Sequence, residues 1–288
     1  MKGIVSMRGN IPTMFRKTSG AILCPSCGRL TNADAPVCLV CGRRNPGMWG
    51  FGGTLGTLFR RWNFINAVTV LCVVLYVASI VLDPASALQP RGMFGIFAPS
   101  QNALLLLGGS GAAVWRLGHW WTVITAIYLH GGLLHILFNV LWIRQLAPAV
   151  EDIYGPARLV TIFTVSGALG FVASCVFGIP LTVGASGSIF GLLGAIVAYG
   201  RRRGGVFGGL VFRQYGSWAV ILFLYGLLPG TSVDNFAHAG GFIGGFLAGL
   251  SLSAAERGRE QSFDRMLAAL CIIATVLAFA LQFGSALL

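Results

Sequence analysis

Residues 64–82, FINAVTVLCVVLYVASIVL, run for 19 residues without one charged side chain. A helix of that length crosses the roughly 30 Å of hydrocarbon in a bilayer. Comparable stretches recur at about 121–143, 158–177, 186–200, 215–229, 235–253 and 266–284. Hydrophobic residues make up 56% of the chain and charged residues 10%, too few to cover the surface of a water-soluble fold. The sequence therefore predicts an all-α polytopic membrane protein with seven spans. The first span follows a long, basic, glycine-rich lead, so no cleavable signal peptide is expected.

Charge placement sets the orientation. With the N-terminus inside, 18 of the 20 Lys and Arg residues fall on inside segments, and only Arg91 and Arg116 fall outside. That asymmetry follows the positive-inside rule. It accounts for the net charge of +12 without a nucleic-acid partner, and the Arg201–Arg203 cluster suits acidic lipid headgroups. The expected location is a bacterial inner (plasma) membrane with a cytoplasmic N-terminus. Glycines at 204–205 and 208–209 read as a flexible inside loop.

The lead carries a separate signal. Residues 24–41, CPSCGRLTNADAPVCLVC, hold two Cys-x-x-Cys pairs. Cys24, Cys27, Cys38 and Cys41 offer four thiolates, a set that suits tetrahedral structural zinc. Gly28 and Gly42 follow the pairs and ease the tight turns. A redox pair or disulfide is the alternative, disfavoured on a cytosolic side. The expected domains are 1–60, with the zinc-ribbon-like module at 21–44; a core at 61–253; and a loop with a seventh helix at 254–288. Cys72, Cys175 and Cys271 lie singly in spans and read as packing.

Polar groups inside spans point to chemistry. WWTVITAIYLHGGLLHILFN places His130, His135 and Asn139 in the second span, with His135 and Asn139 one helical turn apart. Interhelical hydrogen bonding is the plainer reading of these three. TVGASGSIFG sets Ser186 at the outward start of the short fourth span, and NFAHAGGFIGGF sets His238 near the outer end of the sixth. Gly187, Gly191 and Gly194 on one helix and Gly241 and Gly245 on the other form small-residue faces that allow close backbone approach. Such packing brings the His238 imidazole within hydrogen-bond reach of the Ser186 hydroxyl, as a general base must be. His135, Asn139 and the Ser186 backbone N–H are candidate donors to an oxyanion. No carboxylate within the sixth span orients His238, and Asp234 precedes it in a loop, so a Ser-His dyad is expected.

HGGLLHILFN, GASGSIFG and AHAGGFIGG, in that order on spans two, four and six, resemble the rhomboid family of intramembrane serine proteases. The resemblance covers about residues 62–253. It implies a six-helix catalytic core with Ser186 as nucleophile, His238 as general base and His135 with Asn139 lining the oxyanion hole. It also implies a water-filled cavity open to the outside, transmembrane protein substrates in the lipid bilayer, and no cofactor for catalysis. Glu151 matches a structural glutamate of the family, residues 83–118 correspond to its membrane-embedded loop, and the seventh span to a variant with one added helix. One departure stands out: where the family often has Trp-Arg, this chain has Trp121-Thr122. Phe94, Phe97 and Trp115 of the embedded loop read as interfacial anchors.

Other classes fit less well. An α/β-hydrolase nucleophile needs Gly-x-Ser-x-Gly on a strand-to-helix turn, and a zincin needs His-Glu-x-x-His. A haem protein would leave the Gly-Ala-Ser-Gly step without a role. A transporter, or a non-catalytic relative that binds transmembrane helices, remains the alternative.

Overall fold

The computed structural model describes residues 19–24, 27, 29–47, 63–89, 95–231, 233–252 and 260–285. The expected domain limits at 60/61 and 253/254, together with Gly28, Arg91 and Phe94, lie outside the described residues. The chain divides into two compact units, Met1–Asn66 and Ala67–Leu288. In the first, strands β1 (Ala21–Leu23) and β2 (Leu30–Asn32) pair antiparallel, with Leu23 opposite Leu30. A second turn closes through the Val37–Arg44 bridge. There Gly42, at φ +73°, donates its N–H to the Cys38 carbonyl at 2.9 Å.

The second unit is all-α. Its long helices among the described residues are α1 (Phe64–Leu82), α2 (Leu133–Tyr154), α3 (Pro156–Val176), α4 (Ser186–Arg203), α5 (Gly205–Tyr225), α6 (Asn235–Ser251) and α7 (Ser262–Ser285). Five of them, all but α4 and α6, are long and apolar enough to cross a membrane. α4 closes on three arginines, and α6 has only 17 residues. The architecture is that of an all-α integral membrane protein.

Two expected spans are corrected. Residues 121–132 are not the start of the second membrane helix. They form a helical turn at Thr122–Thr125, a 3-10 turn at Ala126–Tyr128 and an extended step at Leu129. Helix α2 starts only at Leu133, after Gly131-Gly132, and runs on to Tyr154. The apolar run continues across this break, so hydropathy alone does not reveal it. The fifth span starts at Gly205, not 215, because 204–209 is not a loop. A Cβ at Gly208 would stand 2.6 Å from the Gly200 carbonyl, so Gly208 serves close packing of α5 on α4, while a Cβ at Gly204, Gly205 or Gly209 would meet nothing within 4 Å.

The same logic holds α4 against α6. A Cβ at Gly241 would fall on the Gly187 carbonyl, and one at Gly245 on the Gly191 carbonyl. Away from Ser186, the Tyr154 hydroxyl sits between the carbonyls of Ala195 (2.9 Å) and Gly249 (3.2 Å), joining α2, α4 and α6. Arg202 donates to the carbonyls of Gly249, Leu250 and Leu252, which end α6. This arginine therefore satisfies orphan helix carbonyls.

Helix α7 is fastened to the start of α3. Glu260 accepts from the backbone N–H groups of Ala157 (2.6 Å) and Arg158 (3.3 Å), where a helix N-terminus favours an anion. One turn on, Arg158 pairs with Asp264 at 2.8 Å, with 3% and 8% of the two side chains exposed.

Candidate active site

Ser186 is the first residue of α4 and His238 lies in the first turn of α6. Asp234 starts α6: its Oδ1 accepts from the N–H groups of Phe236 and Ala237, both at 3.0 Å. Its Oδ2 accepts from the Ser174 hydroxyl of α3. This N-cap joins the His238 turn to a neighbouring helix, a role for Asp234 that its loop position in the sequence did not reveal. His238 is 6% exposed and stacks on Phe190, one turn beyond Ser186, with ring centroids 4.1 Å apart at 16°. Its Nδ1 is buried without a hydrogen-bond partner.

Ser186 is partly exposed. The expected hydrogen bond between its hydroxyl and His238 is not formed among the described contacts, and the imidazole stacks on Phe190 instead. Serine–histidine contacts are often long in ligand-free sites and tighten in the substrate complex.

His135 occupies the first turn of α2. The Gly131 N–H donates to its Nδ1 at 3.3 Å, so a neutral ring carries its proton on Nε2. That nitrogen faces the serine step. A Cβ built on Gly184 would lie 2.7 Å from His135 Nε2 and 3.8 Å from Ser186 Oγ. Gly184 also adopts φ +134°, so only glycine suits this position on both counts. Asn139 donates to the His135 carbonyl at 2.7 Å, within its own helix, while its Oδ1 is buried without a partner. One N–H of the amide is thereby engaged and the other is left.

His130, expected in the second span, does not lie on α2; it belongs to the segment before the helix. Its ring packs edge-on against His135 at 5.2 Å, and both its nitrogens are buried without partners. It is no interhelical hydrogen bond.

Thr122, where the related pattern often has arginine, is buried. Its hydroxyl donates to the His119 carbonyl at 2.7 Å and lies 3.1 Å from Ser110 Oγ. The loop before α2 is thus anchored by short hydroxyl contacts. Ser110 in turn exchanges backbone hydrogen bonds with Thr182, and the Gly184 N–H donates to the Ala126 carbonyl at 3.0 Å.

In the N-terminal unit the four sulfurs of Cys24, Cys27, Cys38 and Cys41 lie within 4.8 Å of one another. Cys24–Cys41 and Cys27–Cys38 are 3.7 and 3.8 Å apart. Sulfurs around a tetrahedral zinc with Zn–S of about 2.3 Å stand about 3.8 Å apart, so the donor set fits that ion. The N–H groups of Cys41 and Val40 hold the Cys38 thiol below its ordinary range, while desolvation and the neighbouring thiols push Cys41 up.

Residues 117–255 match the model of the Rhomboid domain. The chain is 34% identical over 183 residues to Rhomboid protease GluP of Bacillus subtilis, covering 62% of this chain and 34% of that protein. It is 36% identical over 140 residues to RHOMBOID-like protein 7 of Arabidopsis thaliana, covering 46% and 42%. With Rhomboid-like protease 3 of Toxoplasma gondii it shares 29% identity over 188 residues, 64% of this chain and 66% of that protein. The matched part spans between about a third and two thirds of the length of these relatives.

Proposed function

Because residues 117–255 make this chain a rhomboid-family protein, we propose that it is an intramembrane serine endopeptidase that hydrolyses peptide bonds in or near transmembrane segments. The observation that carries the reading is the convergence at one end of the bundle. Ser186 and His238 open adjacent helices packed glycine on glycine, and the Nε2–H of His135 faces the Gly184–Ser186 step.

In this reading His238 Nε2 takes the Ser186 proton as Oγ attacks the scissile carbonyl carbon. The oxyanion is met by His135 Nε2–H, the Ser186 N–H at the start of α4, and the second N–H of Asn139. The intermediate collapses with cleavage of the C–N bond, and the leaving amine takes the proton from His238. Water, deprotonated by His238, then attacks the ester carbonyl and frees Ser186. Among the described residues none hydrogen-bonds Nδ1 of His238, which supports a dyad. Six helices, α1 to α6, form the catalytic core, and α7 is the added one.

The N-terminal cysteines would hold a structural zinc ion, which supplies folding energy and no chemistry. The arginine distribution supports a cytoplasmic N-terminus, and a bacterial inner membrane is the proposed location.

A second reading, a non-catalytic relative that binds transmembrane helices, is favoured by the unformed Ser186–His238 hydrogen bond. Cleavage of a transmembrane reporter by purified protein separates the two. The protease reading expects wild type to cut, and Ser186→Ala and His238→Ala to be silent. Equal cutting by Ser186→Ala, or binding of the reporter without cleavage by wild type, overturns it.

A further inference from the structure

Helix α7 turns most of its surface outward, yet Gln282, near its end, is 5% exposed. Its amide nitrogen donates to the carbonyls of Leu105 (3.1 Å) and Leu106 (3.0 Å), and its amide oxygen accepts the indole N–H of Trp121 at 3.0 Å. The two carbonyls close the helical turn Gln101–Leu106, and the Leu105 carbonyl also accepts the Gly108 N–H at 3.1 Å, so Gln282 adds a second donor there. A side chain 161 residues beyond Trp121 thus serves as a cap for this turn and as its link to the indole.

The capped segment runs on to the serine. The Gly109 N–H donates to the Leu104 carbonyl at 2.7 Å, and the Thr125 hydroxyl to the Gly108 carbonyl at 2.6 Å. Ser110 then pairs with Thr182, through N–H to carbonyl distances of 3.2 and 2.6 Å, and the Ala112 N–H reaches the Ile179 carbonyl at 2.7 Å. From the Trp121 side, Ala126 accepts from the Gly184 N–H. Both branches end on the short stretch that delivers Ser186, and the second also leads into the segment before His135.

We propose that Gln282 is a positioning residue: from the seventh helix it fixes segment 101–126, and through Ser110–Thr182 and Ala126–Gly184 it keeps Ser186 in register with His135. The inference rests on the protease reading for its kinetic consequence, but not for its structural one. Misregister of nucleophile and oxyanion donors acts on the transition state, so kcat and not KM is the sensitive quantity.

The test uses the full chain in detergent or nanodiscs. Gln282→Leu keeps the bulk and removes all three hydrogen bonds; Trp121→Phe removes one; Leu277→Ala, on the exposed side of the same helix, is the control. The expectation for Gln282→Leu is a fall in kcat, and in fluorophosphonate labelling of Ser186, of about tenfold or more, with KM unchanged. Trp121→Phe should fall less and Leu277→Ala not at all. Amide hydrogen exchange at 108–112 and 182–184 should quicken in Gln282→Leu while the interior of α4 stays protected.

Unchanged exchange in a folded Gln282→Leu protein overturns the inference, whatever its activity. So does loss of protection throughout the bundle, which would make Gln282 a general stability residue. If wild type neither cuts nor labels, the protease reading fails, and the exchange result still decides for or against the positioning role.

Discussion

The Gly131 amide donates to Nδ1 of His135, and this one hydrogen bond commits the opposite nitrogen of the ring to be a donor facing Gly184. An oxyanion donor is useful only when its proton is held in place before the charge develops. His135→Gln retains a donor but not the aromatic frame or the Gly131 contact. Cleavage should fall by about two orders of magnitude with little change in melting temperature, read by a reporter assay beside a thermal melt.

Gly184 leaves no room for a side chain. An alanine there meets the His135 ring and must adopt φ +134°. Gly184→Ala should lose activity and cost about 1–3 kcal/mol of stability. A variant with wild-type kcat would show that the His135–Ser186 spacing is looser than the structure indicates.

The glycine faces separate packing from propensity. Gly241→Ala and Gly245→Ala drive a methyl into the α4 backbone and should each destabilise by about 1–3 kcal/mol. Gly216→Ala on α5, where a Cβ meets nothing within 4 Å, should be neutral or stabilising by up to about 1 kcal/mol. Melting temperatures of the three proteins in one detergent check the ranking.

The Arg158–Asp264 pair is almost wholly buried. Arg158→Ala or Asp264→Ala alone leaves an uncompensated charge and should cost about 3–5 kcal/mol. Arg158→Met with Asp264→Leu should recover most of that loss. Equal damage in the single and double variants would contradict a charge-pairing role.

Metal content gives a further check. Purified protein should carry one zinc per chain by elemental analysis, and Cys24→Ser or Cys38→Ser should lose it. If the reading of a purely structural ion is right, chelation should melt the module at 21–47 without stopping cleavage by the core.

Much of this was legible in the residues because the constraints were local. Ser186 and His238 stand near the ends of apolar, glycine-spaced runs, and both lie in the first turn of a helix in the structure. The start of α2 was not legible: Trp121 to Leu129 is as apolar as a membrane helix, and the chain breaks there through contacts with Ser110, Gly108 and Gly184 that lie elsewhere in sequence. The glycines at 208–209 read as a loop because glycine signals freedom in sequence, whereas both lie in α5 and Gly208 marks a helix contact. The caps from Gln282 and Glu260 were invisible for the same reason. Each partner lies more than a hundred residues away, and no periodicity links them.

The fastening of α7 to α3 also fixes an order of events during synthesis. Arg158 enters the bundle early, while its partner Asp264 is made more than a hundred residues later. Without Asp264 the buried guanidinium has no counter-ion among the described residues and keeps only its hydrogen bond to the Tyr154 carbonyl. The bundle is thus neutral at this buried point only when α3 and α7 are both in place, because each helix carries one half of the pair.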